Sequence, residues 1–178
     1  ALLAGLPVGV SAQTVNRFCS SGLQAIALAA DRIRLGEADL MIGAGTETMS
    51  MVPMMGHKIA MNPAIFQDEN IGIAYGMGIT AENVASQWQV SRDEQDAFAL
   101  ASHQKAFAAI AAGEFQSEIS PYEVVSQQPD LAGNLVRVKK TLVVNDEGPR
   151  ADTTLEVLAK LRPVFRAGGS VTAGNSSQ

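Results

Sequence analysis

The run "VNRFCSSGLQAIALAADRIRLGEADLMIGAG" (residues 15–45) decides the fold class. Its middle, Ser20 to Leu35, reads as a helix: Leu23, Ile26, Ala27, Ala30 and Ile33 recur at helical spacing, and Gly36 supplies the stop. Asp31, Arg32 and Arg34, its only charges, crowd the last third, so the front is expected to be buried and the far end wet. Before the helix, "QTVNRF" (13–18) is apolar and β-branched enough for a short strand. After it, "ADLMIGAG" (38–45) is a continuous apolar run bounded by glycines. Strand, helix and strand within about thirty residues make a βαβ unit, and a parallel α/β sheet is the economical inference.

Composition narrows the function classes. The 178 residues suffice for one core or for parts of two domains. A net charge of -5 argues against a general nucleic-acid binder, and an anionic ligand would need a local cluster of Arg or Lys. One cysteine allows no internal disulfide, which suits a reducing compartment, and a cytoplasmic location is the expectation. No apolar run approaches the length needed to cross a bilayer, so no membrane partner is expected. "ALLAGLPVGVSAQ" (1–13) has the apolar stretch and small-x-small ending of a signal peptide, but no initiator Met and no basic start. It is read as a helix end, a Gly-Leu-Pro turn and a strand. A chain that starts at Ala1 also reads as part of something longer.

After Met49 the character changes. "MSMVPMMGHKIAMNPAIF" is rich in Met, Pro and Gly without clear periodicity and reads as an irregular excursion. "GITAENVASQW" (78–88) is expected to be a short helix capped by Thr80. The next helix starts at a Ser91/Glu94 capping box, carries Phe98, Ala101, Ala108 and Ala112 as a small-residue stripe, and ends at Gly113. "EISPYEVVS" and "NLVRVKKTLVV" are expected strands around a turn of Pro129, Asp130 and Gly133. Thr153 with Glu156 offers a second capping box, for a helix stopping near Pro163. The division is residues 1–50 as a partial core, 51–166 as an inserted mixed lobe, and 167–178 as a return to the core.

Cys19 falls where the expected strand hands over to the helix. Unpaired N–H groups and the dipole at a helix start favour an anion, and the thiolate is the attacking form of a cysteine, with thioesters as natural substrates. From the residues alone, a nucleophile and a small buried filler both remain open. His57 and His103 have no second His or Cys at ligand distance, so no metal site is expected, and both read as surface or packing residues. Glu47 reads as a loop-holding carboxylate, although at a strand end it could orient a catalytic group. "RVKK" (137–140) reads as a solvated strand face, with a phosphate contact as the alternative. "GAGTE" (43–47) lacks the third glycine of a dinucleotide fingerprint.

Three segments, in order, carry a family likeness. "VNRFCSSGLQAIALAADRIRLGEADLMIGAGTETMSMVP" resembles the active-cysteine region of the thiolases, the acetyl-CoA acyltransferases. "ENIGIAYGMGITAENVA" resembles their loop domain, and "LAKLRPVFRAGGSVTAGNSSQ" the segment leading back into their core. The resemblance implies a layered αβαβα sandwich of two similar halves, of which this chain matches the later part of the first half plus its inserted, CoA-binding loop domain. It implies thiolysis of a 3-ketoacyl-CoA through an acyl-thioester on Cys19, in fatty-acid β-oxidation, with coenzyme A as co-substrate and no permanently bound cofactor. It further implies that Met77 lines the acyl and pantetheine pocket. Arg150 would stand near the adenine and phosphate end of CoA, and Phe165, Ala173 and Ser177 would complete the pantetheine groove. Dimers or dimers of dimers are the family's state, and "TVNRF" resembles its dimer strand.

Two departures qualify the likeness. The family's His in Gly-His-Pro and its second cysteine in Cys-x-Gly-x-Gly do not occur here. Loss of such a base or acid typically costs about 10²–10⁴-fold each, so the chain alone is expected to be inactive. Half a sandwich also leaves a sheet face uncovered, which predicts aggregation or partial order. Gly76 precedes Met77 where short-chain biosynthetic members usually have His, which leans toward a degradative thiolase. An acetoacetyl-CoA thiolase, a condensing ketosynthase and a non-catalytic thiolase-like binding module are the competing readings.

Overall fold

The computed structural model describes residues 1–176, so Ser177, expected in the pantetheine groove, lies outside the described residues. The chain divides into two compact units, residues 1–62 and 63–178.

In the first unit the expected helix forms as α1, Ser21–Arg34, with Ser20 at its N-cap and Gly36 in the left-handed region just past its end. The flanking segments differ from the sequence expectation. Neither 13–18 nor 38–45 is a strand; the only pairing there is an isolated bridge between Arg17 and Cys19. A parallel strand exists only where a neighbour about 4.8 Å away takes up its N–H and C=O groups. Among the described residues no strand stands beside either segment. The 38–45 run still lies against the helix: a Cβ on Gly43 would come within 3.3 Å of the Ile26 side chain. The front of α1 is not buried. Leu23 is 72% exposed and no residue of the helix is fully covered. Its apolar spacing is the signature of a covered face, and among the described residues of its own unit nothing covers it.

The second unit carries α2 (Met77–Gln87), α3 (Arg92–Ala111), an antiparallel pair β1 (Tyr122–Asp130) and β2 (Leu135–Val143), and the single turn α4 (Leu155–Ala159). Short 3₁₀ turns at Pro63–Phe66 and Ile71–Ala74 break the irregular lead-in. Helix α2 begins earlier than expected, at Gly76 without a side-chain cap. Thr80 lies inside it, its hydroxyl donating to the Gly76 carbonyl at 3.4 Å. The capping box of α3 forms in full: the Ser91 oxygen accepts from the Glu94 N–H and the Glu94 carboxylate accepts from the Ser91 N–H at 2.8 Å. The covered face of α3 is not the expected stripe. Phe98 is 78% exposed, whereas Asp96, Ala99 and His103 are buried. Charge partners outweighed apolarity there, because Asp96 and His103 find hydrogen bonds on the segments packed against them. The two expected strands pair from Tyr122↔Val143 to Asp130↔Leu135, but the first starts later and runs further than expected. Pro129 and Asp130 belong to it, and the turn is 131–134, closed by an Asp130 carboxylate that accepts from the Ala132 and Gly133 N–H groups. The cap of α4 is Thr154, not Thr153; its hydroxyl accepts from the Val157 N–H at 3.3 Å.

The apolar core of the described residues is small: Ala99, Leu158 and Val171. Around it lie buried polar groups, Glu82, Asp96, His103 and Thr172, and no buried side-chain polar atom among the described residues lacks a partner.

Candidate active site

Cys19 is exposed and sits two residues before α1. The turn that presents it is tightly held. Phe18 adopts a positive φ of 48°, a left-handed conformation costly for a bulky residue. Its carbonyl accepts from the Ser21 hydroxyl at 2.6 Å and from the Ser21 N–H at 3.0 Å. The same hydroxyl accepts from the Arg17 N–H at 2.8 Å, and the Arg17 guanidinium donates to Gln24 one turn into the helix at 2.8 Å. The Asn16 side chain accepts from the Phe18 N–H at 2.9 Å. These bonds hold the chain in a sharp corner at residues 17–21, which carries the exposed Cys19 two residues before the helix. The buried-filler alternative does not describe an exposed side chain.

The other expected residues lie in the second unit. Met77 is the first residue of α2 and is exposed. Phe165 meets that helix directly: its ring occupies the space that a Cβ on Gly78 would need, so the residue after Met77 must be glycine for the ring to seat. Ala173 is exposed, in a turn where the Thr172 N–H donates to the Asn175 side-chain oxygen at 2.7 Å. The glycine of this turn is explained by packing. A Cβ on Gly174 would come within 2.6 Å of Leu161. Arg150 points into solvent and forks onto Asp152 at 3.2 and 3.3 Å. Arg150's hydrogen bond and charge hold the Asp152 carboxyl below its ordinary value. The backbone of Arg150 is fixed by His103, whose Nδ1 accepts the Arg150 N–H at 3.2 Å. His103 is therefore the packing residue expected from its neighbours.

The weaker candidates resolve locally. Glu47 accepts from the Thr48 N–H at 3.0 Å, a loop contact. Arg137 pairs with Asp130 at 2.6 Å and Lys140 with Glu123 at 3.0 Å, on an exposed hairpin, which is the solvated reading of 137–140. His57 is exposed, and among the described residues no group of His, Cys, Asp or Glu could hold a metal ion.

Sequence reasoning missed the polar groups that fasten the 164–175 segment. Asp96 accepts from Arg92 and from Asn175, each at 2.8 Å, and Arg92 also donates to the Leu158 and Leu161 carbonyls at 2.5 and 3.1 Å. Glu82, wholly buried, accepts from the Val171 N–H at 2.8 Å and the Ser170 N–H at 3.0 Å, and pairs with Arg166 at 3.7 Å. Burial pushes the Glu82 carboxyl up, but the Val171 and Ser170 N–H groups, with Arg166, outweigh it and hold the value below the ordinary one. The signal available in the sequence was the Gly168-Gly169 pair, which marks a place where another group approaches backbone closely.

Comparison with known proteins bears on all of this. The family model described as thiolase, N-terminal domain, matches residues 1–178. The chain is 50% identical over 177 residues to a 3-ketoacyl-CoA thiolase of Bacillus subtilis (strain 168), covering 99% of this chain and 44% of that protein. It is 45% identical over 190 residues to an acetyl-CoA acetyltransferase of Pseudomonas aeruginosa, covering 99% and 46%. The fold is similar to that of the crystal structure of the dimeric peroxisomal thiolase of Saccharomyces cerevisiae, with a TM-score of 0.81 and 36% identity over 99% of this chain and 43% of that one. The chain thus spans less than half the length of the relatives it matches.

Proposed function

Because the chain belongs to the thiolase family, whose N-terminal domain it matches end to end, we propose that it supplies the nucleophile of a thiolytic acyltransferase. The Cys19 thiolate adds to the 3-keto carbon of a 3-ketoacyl-CoA. The bond between that carbon and the adjacent CH₂ breaks, the electron pair leaves with acetyl-CoA and is protonated there, and the acyl group stays on Cys19 as a thioester. A second CoA thiolate takes the acyl group and returns the Cys19 thiolate. The observation that carries this reading is the strained, hydrogen-bonded corner at 17–21, which exposes the thiol at a helix N-terminus.

In this reading Met77 and Phe165 border the acyl and pantetheine arm, with Ala173 and Ser177 beside them, and Arg150 takes the phosphate end of CoA. For that, Arg150 must exchange Asp152 for the phosphates, a charge-assisted replacement that its exposed position permits. Coenzyme A comes and goes as a co-substrate, and no metal or resident cofactor takes part. The sequence division at residues 50 and 166, the layered sandwich with its inserted domain, a cytoplasmic location and a homodimer or dimer of dimers belong to the same proposal. The preference for degradation rests on Gly76 and on the Bacillus relative; the Pseudomonas relative, an acetyl-CoA acetyltransferase, favours four-carbon chemistry instead.

The test separates acyl transfer from turnover. Acetyl-CoA incubated with the chain should leave an acetyl thioester on Cys19, read by mass spectrometry of the peptide and absent in Cys19→Ser. Acetoacetyl-CoA should not be turned over, because no Gly-His-Pro histidine or second cysteine is present. Absence of any adduct on Cys19 would favour the non-catalytic binding module. Sustained CoA-dependent cleavage by the chain alone would refute the assignment of proton transfer elsewhere.

A further inference from the structure

The buried carboxylate of Glu82 touches none of the residues to which a role has been given, yet its geometry governs one of them. Residues 164–171 form a closed loop: the Val164 N–H donates to the Val171 carbonyl at 3.2 Å, and the Gly169 N–H to the Arg166 carbonyl at 3.0 Å. Gly168, at a φ of 66°, makes the turn, and Gly169 lacks the Cβ that would collide with the Glu82 carboxylate. The loop rests on one face of α2, at positions four residues apart. Phe165 seats on Gly78, Glu82 receives the Ser170 and Val171 N–H groups, and Ser86 receives the Arg166 guanidinium at 2.6 Å. Because 164 and 171 are bonded to each other, fixing 170–171 fixes 164–165. A loop needing only a seat would not require a fully buried charge. Burying one is expensive, and here the cost is met by three N–H or hydroxyl donors and a guanidinium, all supplied by this one loop and directed at the carboxylate.

We propose that Glu82 is a positioning residue of the coenzyme-binding edge, holding the 164–171 loop so that Phe165 stays seated on Gly78 beside Met77. The inference rests on the reading of Met77 and Phe165 as CoA contacts. Glu82 acts through the loop and touches no substrate atom.

The experiment titrates CoA into the full 178-residue chain and follows amide exchange at Ser170 and Val171. Glu82→Ala removes two backbone hydrogen bonds to a charged acceptor, so CoA binding should weaken roughly ten- to hundredfold, with fast exchange at both amides. Glu82→Gln keeps one side-chain oxygen, placed as Oε1 is now to accept from both N–H groups, and should restore most of the affinity. In the unaltered chain, saturating CoA should slow exchange at Ser170 and Val171 by reciprocal coupling, and Glu82→Ala should abolish that slowing. Gly78→Ala, a change favourable to a helix in itself, displaces only the Phe165 ring. It should weaken CoA binding while the two amides stay protected. Unchanged affinity in Glu82→Ala despite fast exchange, or in Gly78→Ala, would overturn the positioning role. Loss of the helical circular-dichroism signal in Glu82→Ala, without rescue by glutamine, would make Glu82 a folding residue only and overturn it too. If the unaltered chain fails to bind CoA, the functional reading falls first, and the positioning role falls with it.

Discussion

Asp96 offers the sharpest stability test, because it is buried at 4% exposure and joins two segments distant in sequence. One carboxylate oxygen accepts from Arg92 Nε on its own helix; the other accepts from the Asn175 amide, whose oxygen in turn accepts the Thr172 N–H. Asp96→Ala deletes two charge-assisted hydrogen bonds, each worth about 1.5–3 kcal/mol. Arg92 keeps the Leu158 and Leu161 carbonyls and is partly open to water, which offsets some of the loss. A net cost of about 3 kcal/mol follows, at the lower end for breaking a buried pair. Asp96→Asn retains one acceptor oxygen and should cost about half as much. The assay is native-state amide exchange at Val171 and Thr172. At a factor of ten for each 1.4 kcal/mol, exchange should quicken roughly hundredfold in Asp96→Ala and roughly tenfold in Asp96→Asn. Glu123→Ala breaks an exposed pair with Lys140 and serves as the control, with an effect below about 1 kcal/mol. A change of less than about threefold at both amides in Asp96→Ala would refute the view that this network fastens the 170–175 segment.

Two further outcomes follow from the same geometry. Iodoacetamide should label Cys19 near neutral pH faster than it labels a cysteine in an unstructured peptide, as the proposed nucleophile role predicts; an equal rate, measured by mass spectrometry, would leave the corner at 17–21 without chemical consequence. The Glu82 clamp should resist acid. Its folded value is lowered, so its stabilising effect is complete above the unfolded value of about 4.3 and is lost only as pH falls through the lower folded one. Protection of the Ser170 and Val171 amides, corrected for intrinsic exchange rates, should therefore persist below the ordinary glutamate range. Loss of that protection already at ordinary glutamate pH, with α2 still helical, would contradict the sign.

Local sequence determined local structure well. Helical spacing with Gly36 delimited α1, Ser91 and Glu94 started α3, and Asp130 with Gly133 marked the hairpin, whose turn is 131–134 because Pro129 and Asp130 still pair as the last residues of β1. Each of these rests on contacts within a few residues. The site was legible in part for a different reason: the corner at Cys19 is made by neighbours from Asn16 to Gln24, so its residues stand together in the sequence. Expectations failed where a segment's state depends on something far along the chain. The runs at 13–18 and 38–45 carry strand composition but form no ladder, since a strand is a property of two segments. The front of α1 and Phe98 carry core composition but stay exposed, since burial needs a covering surface. Glu82 and Asp96 read as ordinary polar helix residues, and only the fold brought Ser170, Val171 and Asn175 to them across more than 75 residues of sequence. By itself, then, the sequence determined where the main helices and the hairpin lie and put Cys19 at a helix start. Tertiary structure alone decided which polar groups are buried and what they hold, because a buried charge is tolerated only where distant donors converge on it.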